Sequence, residues 1–309
     1  MTKIKKIKKN LVSVIINCYN GEKYLNKAIE SVLNQTHKDL EIIFWDNKSK
    51  DKSKLIVMNY KDRRIKYFYA KKFTNLHMAR NLAIKKACGE FISFLDVDDY
   101  WSKNKLELQL KKFKNSKVNF VYGNCWLIKE NYIFKKKIFS KNLLPNGNIL
   151  NDLLKIYSIP LPTIIIRKKI LNNMRYIFNP KLKVIGDFDL SLRLSINNNF
   201  DCIQEPIAFN RIHSESFSYK NKLVELKELS SWFTAAKKGK FGKKLSINPN
   251  LKYLNKKIEY LKILYSKKLN NSLLNSLSFL ISNFNKENLK IFLKINLPKI
   301  IIKKFTIYG

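Results

Sequence analysis

Through the first third of the chain, short apolar runs alternate with stretches whose apolar positions recur at helical spacing. Residues 12–17 read as a strand. Residues 22–34 place Tyr24, Leu25, Ala28, Ile29, Val32 and Leu33 on one helical face. Residues 40–45 make a second strand, 53–60 a short helix and 65–70 a third strand. Over 74–87 the stripe Met78, Ala79, Leu82, Ala83 and Ala87 predicts a helix, with Gly89 as its C-terminal cap. Residues 91–95 are the fourth strand. This alternation predicts an α/β fold, a mainly parallel, Rossmann-like central sheet flanked by helices. Such sheets bind ligands beyond the carboxyl ends of their strands, where Asp46, Asn47, Asp96, Asp98 and Asp99 all fall.

Further on, the pattern predicts a helix over 104–113, a strand over 119–122 and a hairpin over 126–138. The turn-rich SKNLLPNGN follows, then a helix over 149–156, a strand over 163–167, a helix over 187–197 and a strand over 202–209. Past Tyr219 the character changes: residues 221–309 hold 19 Lys and four Glu but no Asp, Arg or His. Leucine-rich helical patterns such as LKYLNKKIEYLKILYSKKL dominate there. The chain therefore divides into a domain over 1–219 and a basic helical C-terminal region over 220–309.

Charge opens a second class of reading. Lys and Arg number 61 against 23 acidic residues, a formal net charge of +38. A surface this basic suits the phosphates of nucleic acid. Only seven of the 61 are arginine, however, and base-edge recognition favours arginine's planar fork. Lysine abundance beside abundant Asn and Ile points to A/T-rich codons, and nucleic acid is not the expected partner. Lysines interleaved with apolar residues in the tail instead suit an anionic inner-membrane surface, although a solvated helical bundle gives the same pattern. The four cysteines are scattered without a CxxC pair, which fits a reducing compartment. No run of ~18 apolar residues occurs, and LVSVII after the basic start is too short for a signal h-region. The expectation is a cytoplasmic protein, peripheral on the inner face of the membrane.

The stretch FISFLDVDDYW, residues 91–101, carries the strongest chemical signal. A buried strand ends in Asp96, Asp98 and Asp99, and carboxylates this close resist ionisation unless a cation lies between them. Asp96 and Asp98 form a DxD pair of hard oxygen ligands suited to Mn²⁺ or Mg²⁺, ions that keep open positions for phosphates. A turn capping the helix near Ser102 is the plain alternative. A two-metal phosphoryl or nucleotidyl transferase would use the same aspartates. Dehydrogenase chemistry is disfavoured, since no GxGxxG follows the first strand.

The segments VSVIINCYNGEKYLNKAIESVLNQT, LEIIFWDNKSKDKS, ARNLAIKKACGEFISFLDVDDYW and VIGDFDLSLRLS, in that order, resemble the family-2 glycosyltransferases with the A-type nucleotide-sugar fold. The likeness spans about residues 11–219. It implies metal-dependent, inverting transfer from a nucleoside-diphosphate sugar, often a UDP-sugar, to an acceptor hydroxyl. By family analogy the acceptor is a surface glycan: lipopolysaccharide, lipooligosaccharide or capsule.

The resemblance also distributes roles. Asn17, Tyr19 and Asn20 in INCYN would border the nucleotide base, with Tyr19 either stacking on uracil or serving as a loop aromatic. Asp46 matches the acidic residue that contacts base or ribose; the next position, often Asp, is Asn47, whose amide still bonds a pyrimidine edge. Arg80 would reach the nucleotide or its diphosphate; Asp96 would lie among the nucleotide-binding residues and, with Asp98, bind the metal. Asp187 matches the general base, although the preceding residue, often Glu, is Gly186; an N-cap is its plain alternative. Asp189 would project away. Arg211 and His213 resemble the closing segment, Arg211 toward the nucleotide and His213 toward the metal. Trp101 either faces the sugar or packs.

Overall fold

The computed structural model describes residues 7–129, 136–172, 174–213 and 216–265. The distal basic tail, 266–309, and the turn of the expected hairpin, 130–135, lie outside the described residues.

In chain order the elements are β1 (Lys8–Cys18), α1 (Leu25–Leu33), β2 (Leu40–Asp46), α2 (Ser53–Asn59), β3 (Ile65–Tyr69), α3 (Leu76–Ile84) and β4 (Gly89–Asp96). There follow β5 (Tyr100–Trp101), α4 (Lys105–Lys112), β6 (Val118–Lys129), β7 (Lys136–Ile138), α5 (Leu150–Lys155) and β8 (Ile165–Arg167). The remainder comprises α6 (Gly186–Ser195), β9 (Asn199–Ile212), α7 (Phe217–Lys220), α8 (Lys222–Lys237), α9 (Lys243–Ser246) and α10 (Leu251–Tyr265).

One sheet runs in the order β3-β2-β1-β4-β8-β6-β9-β5, with β7 pairing β6. β3, β2, β1 and β4 are parallel, as the alternation predicts. Beyond β4 the sheet is mixed: β8 is antiparallel to both β4 and β6, while β9 is parallel to β6. β6 and β7 pair antiparallel with Trp126 opposite Ile138.

Helices on both faces explain why β2, LEIIFWD, is buried at all seven positions. The period-2 pleat splits the strands between two cores. Val14, Ile16, Ile42 and Phe44 face the layer containing Leu25, Ala28, Ile29 and Val32 of α1. Ile15, Ile43, Ile92 and Phe94 face the layer of α3 and α6. Each fully buried aliphatic side chain contributes roughly 1.5–3 kcal/mol. α6 lies deep in the second layer, with eight of its ten residues buried.

The helices past residue 219 belong to that same layer. Leu229, Trp232 and Ala236 of α8, with Leu251, Leu254, Ile258 and Leu261 of α10, join the cluster holding Phe188 and Leu190 of α6. The apolar stripe of α10 therefore faces the protein, while Lys252, Lys256, Lys257 and Lys262 face outward.

Two local expectations are corrected. Gly89 is not a helix cap but opens β4, where a Cβ would lie 2.5 Å from the Leu11 carbonyl oxygen; adjacent backbone leaves no room for a side chain. On α3 the buried face carries His77, Ala79, Arg80, Ala83 and Ile84, and Met78 is exposed. A buried arginine is masked in any reading that assigns the interior by hydropathy.

Candidate active site

Register brings the strand ends level. Asn17 of β1 stands opposite Trp45 of β2 and Asp96 of β4, and Cys18 stands opposite Asp46. The expected nucleotide residues thus gather on one edge. Asn17 is buried, and its Nδ2 has no hydrogen-bond partner among the described residues. Leaving such a donor unpaired costs about 1–3 kcal/mol. Tyr19 is 48% exposed and meets Phe73, 58% exposed, edge to face at 4.8 Å. Asn20 adopts φ 54° and accepts from the Lys50 amide at 2.8 Å, joining the loops after β1 and β2.

Asp46 is fully buried, accepting from the Tyr67 hydroxyl and the Ser49 amide, each at 2.7 Å. Asn47 donates to the Thr74 carbonyl at 2.7 Å and accepts from the Thr74 amide and hydroxyl. Both side chains therefore tie down the loops that frame the edge.

The acidic turn divides its three carboxylates between different partners. Arg80, 4% exposed, donates from Nη2 to Asp96 Oδ1 at 2.6 Å and stacks its guanidinium on Phe178 at 5.2 Å. Asp98 Oδ2 lies 3.1 Å from His213 Nε2. Burial, then Asp96, pushes the Asp98 carboxyl above its ordinary range against the pull of His213. Asp99 is turned inward, accepting from Asn210 Nδ2 and the Arg211 amide, each at 2.9 Å. Burial, then Asp98 and Asp96, pushes Asp99 well above the usual carboxylate range. Arg211 lies between the rings of Tyr24 and Tyr100 at 5.0 and 4.9 Å and donates to the Asp98 carbonyl at 2.6 Å. β9 therefore braces the acidic turn.

Among the described residues no group of three His, Cys, Asp or Glu is gathered for a metal. Asp98 with His213 nevertheless fits a divalent ion: a hard carboxylate and an imidazole already face each other, and the crowding that raises Asp98 is relieved by positive charge.

Asp187 is the second residue of α6, not its cap; Ile185 holds that place without a side-chain cap bond. Burial raises the Asp187 carboxyl above its ordinary range, with the Phe188 amide and Arg80 opposing and Asp96 adding to the rise. Asp187 thus shares an electrostatic environment with Arg80 and Asp96. The Tyr157 hydroxyl lies 3.3 Å from Ser191 Oγ, and burial, then the charge of Asp187, pushes it well above its ordinary value. Asp189 does point away: it accepts from Arg193 Nη2 at 2.8 Å and Trp232 Nε1 at 3.0 Å.

The segment leading to Asp187 is anchored from α3. Asn81 exchanges bonds with the Phe178 amide and carbonyl, at 2.9 and 2.7 Å. Asn75 Nδ2 donates to the Pro180 carbonyl at 2.7 Å. The His77 ring stacks on Phe178 and fills the space that a side chain at Gly186 would need. Burial, then Arg80, holds His77 down to about 3, so the imidazole is neutral.

Four residues near this edge carry no sequence signal of their own: Tyr157, His77, Phe73 and Lys105. Lys105 is fully buried, donates to Ser93 Oγ at 3.1 Å and lies 3.9 Å above Trp101, bridging both flanks of the acidic turn. Trp101 accordingly packs, at 4% exposure, and does not face the site.

Comparison with known proteins identifies the arrangement. The family model described as glycosyl transferase family 2 matches residues 13–174, just over half the chain. An Escherichia coli protein named UDP-Glc:alpha-D-GlcNAc-diphosphoundecaprenol beta-1,3-glucosyltransferase WfgD is 34% identical over 218 residues, 70% of this chain and 83% of its own length. Among solved structures, S. aureus TarS 1-349 in complex with UDP superposes with a TM-score of 0.58 at 20% identity, covering 92% of this chain and 80% of that one. The chain spans half the length of another TarS structure. The mannosyltransferase PcManGT from Pyrobaculum calidifontis, in complex with GDP-Man and Mn2+, gives 0.58 at 14% identity, covering 92% and 83%. The fold is thus the A-type glycosyltransferase fold.

Proposed function

The chain belongs to glycosyl transferase family 2 and is a glycosyltransferase, and from that premise we propose that it transfers a sugar from a UDP-sugar, with inversion, to a hydroxyl of a lipid-linked surface glycan. One observation carries this reading: Arg80, Asp96 and Asp187 share a single electrostatic environment beside the Asp98–His213 pair, at the carboxyl edge of the parallel strands. The UDP bound by TarS and the lipid diphosphate in the WfgD name support the donor and acceptor classes.

The chemistry follows from the residues. The acceptor oxygen attacks the anomeric carbon from the face opposite the diphosphate, and the carbon–oxygen bond to the diphosphate breaks. The acceptor's proton passes to a carboxylate of Asp187. Its raised proton affinity suits a base that must take a proton from a hydroxyl losing it in the transition state. Tyr157, whose hydroxyl feels the charge of Asp187, lies beside that carboxylate. Arg80 offers a guanidinium to the donor's diphosphate, and UDP leaves. Asp98 and His213, with Asp96 beside them, would hold Mn²⁺ or Mg²⁺, which when bound supplies positive charge to the departing diphosphate. Asn17, Asn20, Asp46 and Asn47 shape the nucleotide edge, and the exposed Tyr19–Phe73 pair offers the base an aromatic wall.

Peripheral attachment to an anionic membrane belongs to the same proposal. With the apolar stripe of α10 spent on the core, the outward lysines would make that contact. No helix among the described residues is long and apolar enough to cross a membrane.

A panel of nucleotide-sugars with Mn²⁺, read by release of the nucleoside diphosphate, tests the reading. UDP release from at least one UDP-sugar, stopped by EDTA and restored by Mn²⁺, is expected. Turnover only of GDP- or ADP-sugars, or turnover indifferent to EDTA, refutes the donor or the metal part respectively.

A further inference from the structure

A carboxylate outside the site holds the backbone that delivers Asp187. Glu228, on α8, accepts three consecutive main-chain amides: Lys183 to Oε1 at 2.6 Å, then Val184 and Ile185 to Oε2 at 3.0 and 3.1 Å. The very next residues are Gly186, which opens α6, and Asp187. One turn further along α8, Trp232 donates from Nε1 to Asp189 Oδ1 at 3.0 Å. Glu228 and Trp232 are spaced i, i+4 and therefore share one face of α8. That face grips the start of α6 at two points, two residues on either side of Asp187.

We propose that Glu228 is a positioning residue for Asp187, and that α8 is thereby a working part of the transferase. The inference rests on Asp187 being the base. A carboxylate satisfying three successive amides fixes their directions, since each N–H must converge on one group. α3 anchors the same segment from its other side, through Asn81 at Phe178 and Asn75 at Pro180. Between these anchors the chain has little freedom to carry Asp187 away from the acceptor oxygen. Without Glu228 the three amides would turn to water, and Asp187 would lose its alignment while Arg80, Asp96 and Asp98 kept theirs. A base displaced by an ångström costs on the order of 100-fold in rate.

The test uses the full chain with Glu228→Ala and Glu228→Gln, the latter keeping volume while losing charge. Transfer kinetics, UDP binding by calorimetry and amide hydrogen exchange are measured together. The expected result is a kcat down by about 100-fold in Glu228→Ala, with donor KM and UDP affinity unchanged. Faster exchange is expected at residues 183–185. Formate, small enough to refill the vacated place, is expected to restore kcat and protection in Glu228→Ala where chloride at equal ionic strength does not. Should Glu228→Ala fail to fold, the same split of kcat against KM is read in Glu228→Gln. Wild-type kcat in the folded variants, or a loss confined to KM, overturns the proposal. Asp187→Asn is run beside them. An inactive Asp187→Asn next to fully active Glu228 variants sinks this inference alone, whereas an active Asp187→Asn sinks the base assignment and this inference with it.

Discussion

His77 occupies the space that Gly186 leaves empty: a Cβ at 186 would lie 2.2 Å from His77 Cε1 and 2.3 Å from Nε2. Neither ring nitrogen has a hydrogen-bond partner among the described residues, so shape complementarity is what keeps the imidazole there. Within a helix, Gly→Ala ordinarily gains roughly 0.5–1 kcal/mol. Here overpacking against the ring reverses the sign. Gly186→Ala is expected to cost about 1–2 kcal/mol in urea unfolding. Adding His77→Ala should recover part of that cost, because the two changes share one space. Simple additivity would show that the ring and the glycine do not depend on each other.

Asp187 lends itself to a test in which stability and activity move oppositely. Its folded-state carboxyl is raised above the unfolded value by burial, so the folded state binds the proton more tightly. Its contribution to stability is greatest below the unfolded pKa and declines as pH rises through the folded one. At neutral pH the charged carboxylate therefore costs stability. Asp187→Asn is expected to melt no lower than wild type at pH 7, to bind UDP normally, and to lose transfer by about 10²–10⁴-fold. The acid limb of wild-type kcat should fall at a pH above that of an ordinary aspartate. A lower melting temperature with intact transfer would make Asp187 a structural carboxylate.

Arg80 is poised between the donor edge and the acidic turn, through its 2.6 Å bond to Asp96. Arg80→Ala should weaken UDP binding about tenfold, equivalent to about 1.4 kcal/mol. Arg80→Lys, a point charge without the planar fork, should recover only part of it. Calorimetry with UDP decides the matter, and unchanged affinity would assign Arg80 to packing alone.

At the opposite edge of the sheet, Glu41 governs acid stability. It is buried and accepts from Ser13 Oγ at 2.5 Å, the Cys88 amide at 2.6 Å and Lys66, joining the amino ends of β1, β2 and β4. Burial pushes its carboxyl up, but Lys66, Ser13 and Cys88 outweigh that and hold it below the ordinary value. The stabilisation is complete above the unfolded pKa and is lost as pH falls through the lower folded one. Glu41→Gln should cost about 2 kcal/mol at pH 7 and less as pH falls, measured by urea denaturation. A constant difference between pH 7 and pH 3 would contradict the assignment.

Much of this protein is written locally. The parallel half of the sheet follows from short apolar runs between amphipathic helices, since a strand covered on both faces must be apolar throughout. The acidic turn at the end of β4 and the residues beyond β1 and β2 were legible because strand ends in such a sheet share one edge. Asp187 and His213 came from motif likeness, and the fold sets them beside Arg80 and Asp98. What the sequence could not disclose depends on pairs distant along the chain. The antiparallel pairing of β8 with β4 and β6, the inward turn of Asp99 onto β9, the packing of the buried Arg80 and His77 on Phe178, and the grip of Glu228 on residues 183–185 each join segments 40 or more residues apart. The exception is Arg80 with Asp96, 16 apart yet on different elements. Periodicity reports which face of an element is apolar, and it is silent about which polar group that face will meet; only tertiary packing, by desolvating both partners at once, makes that choice.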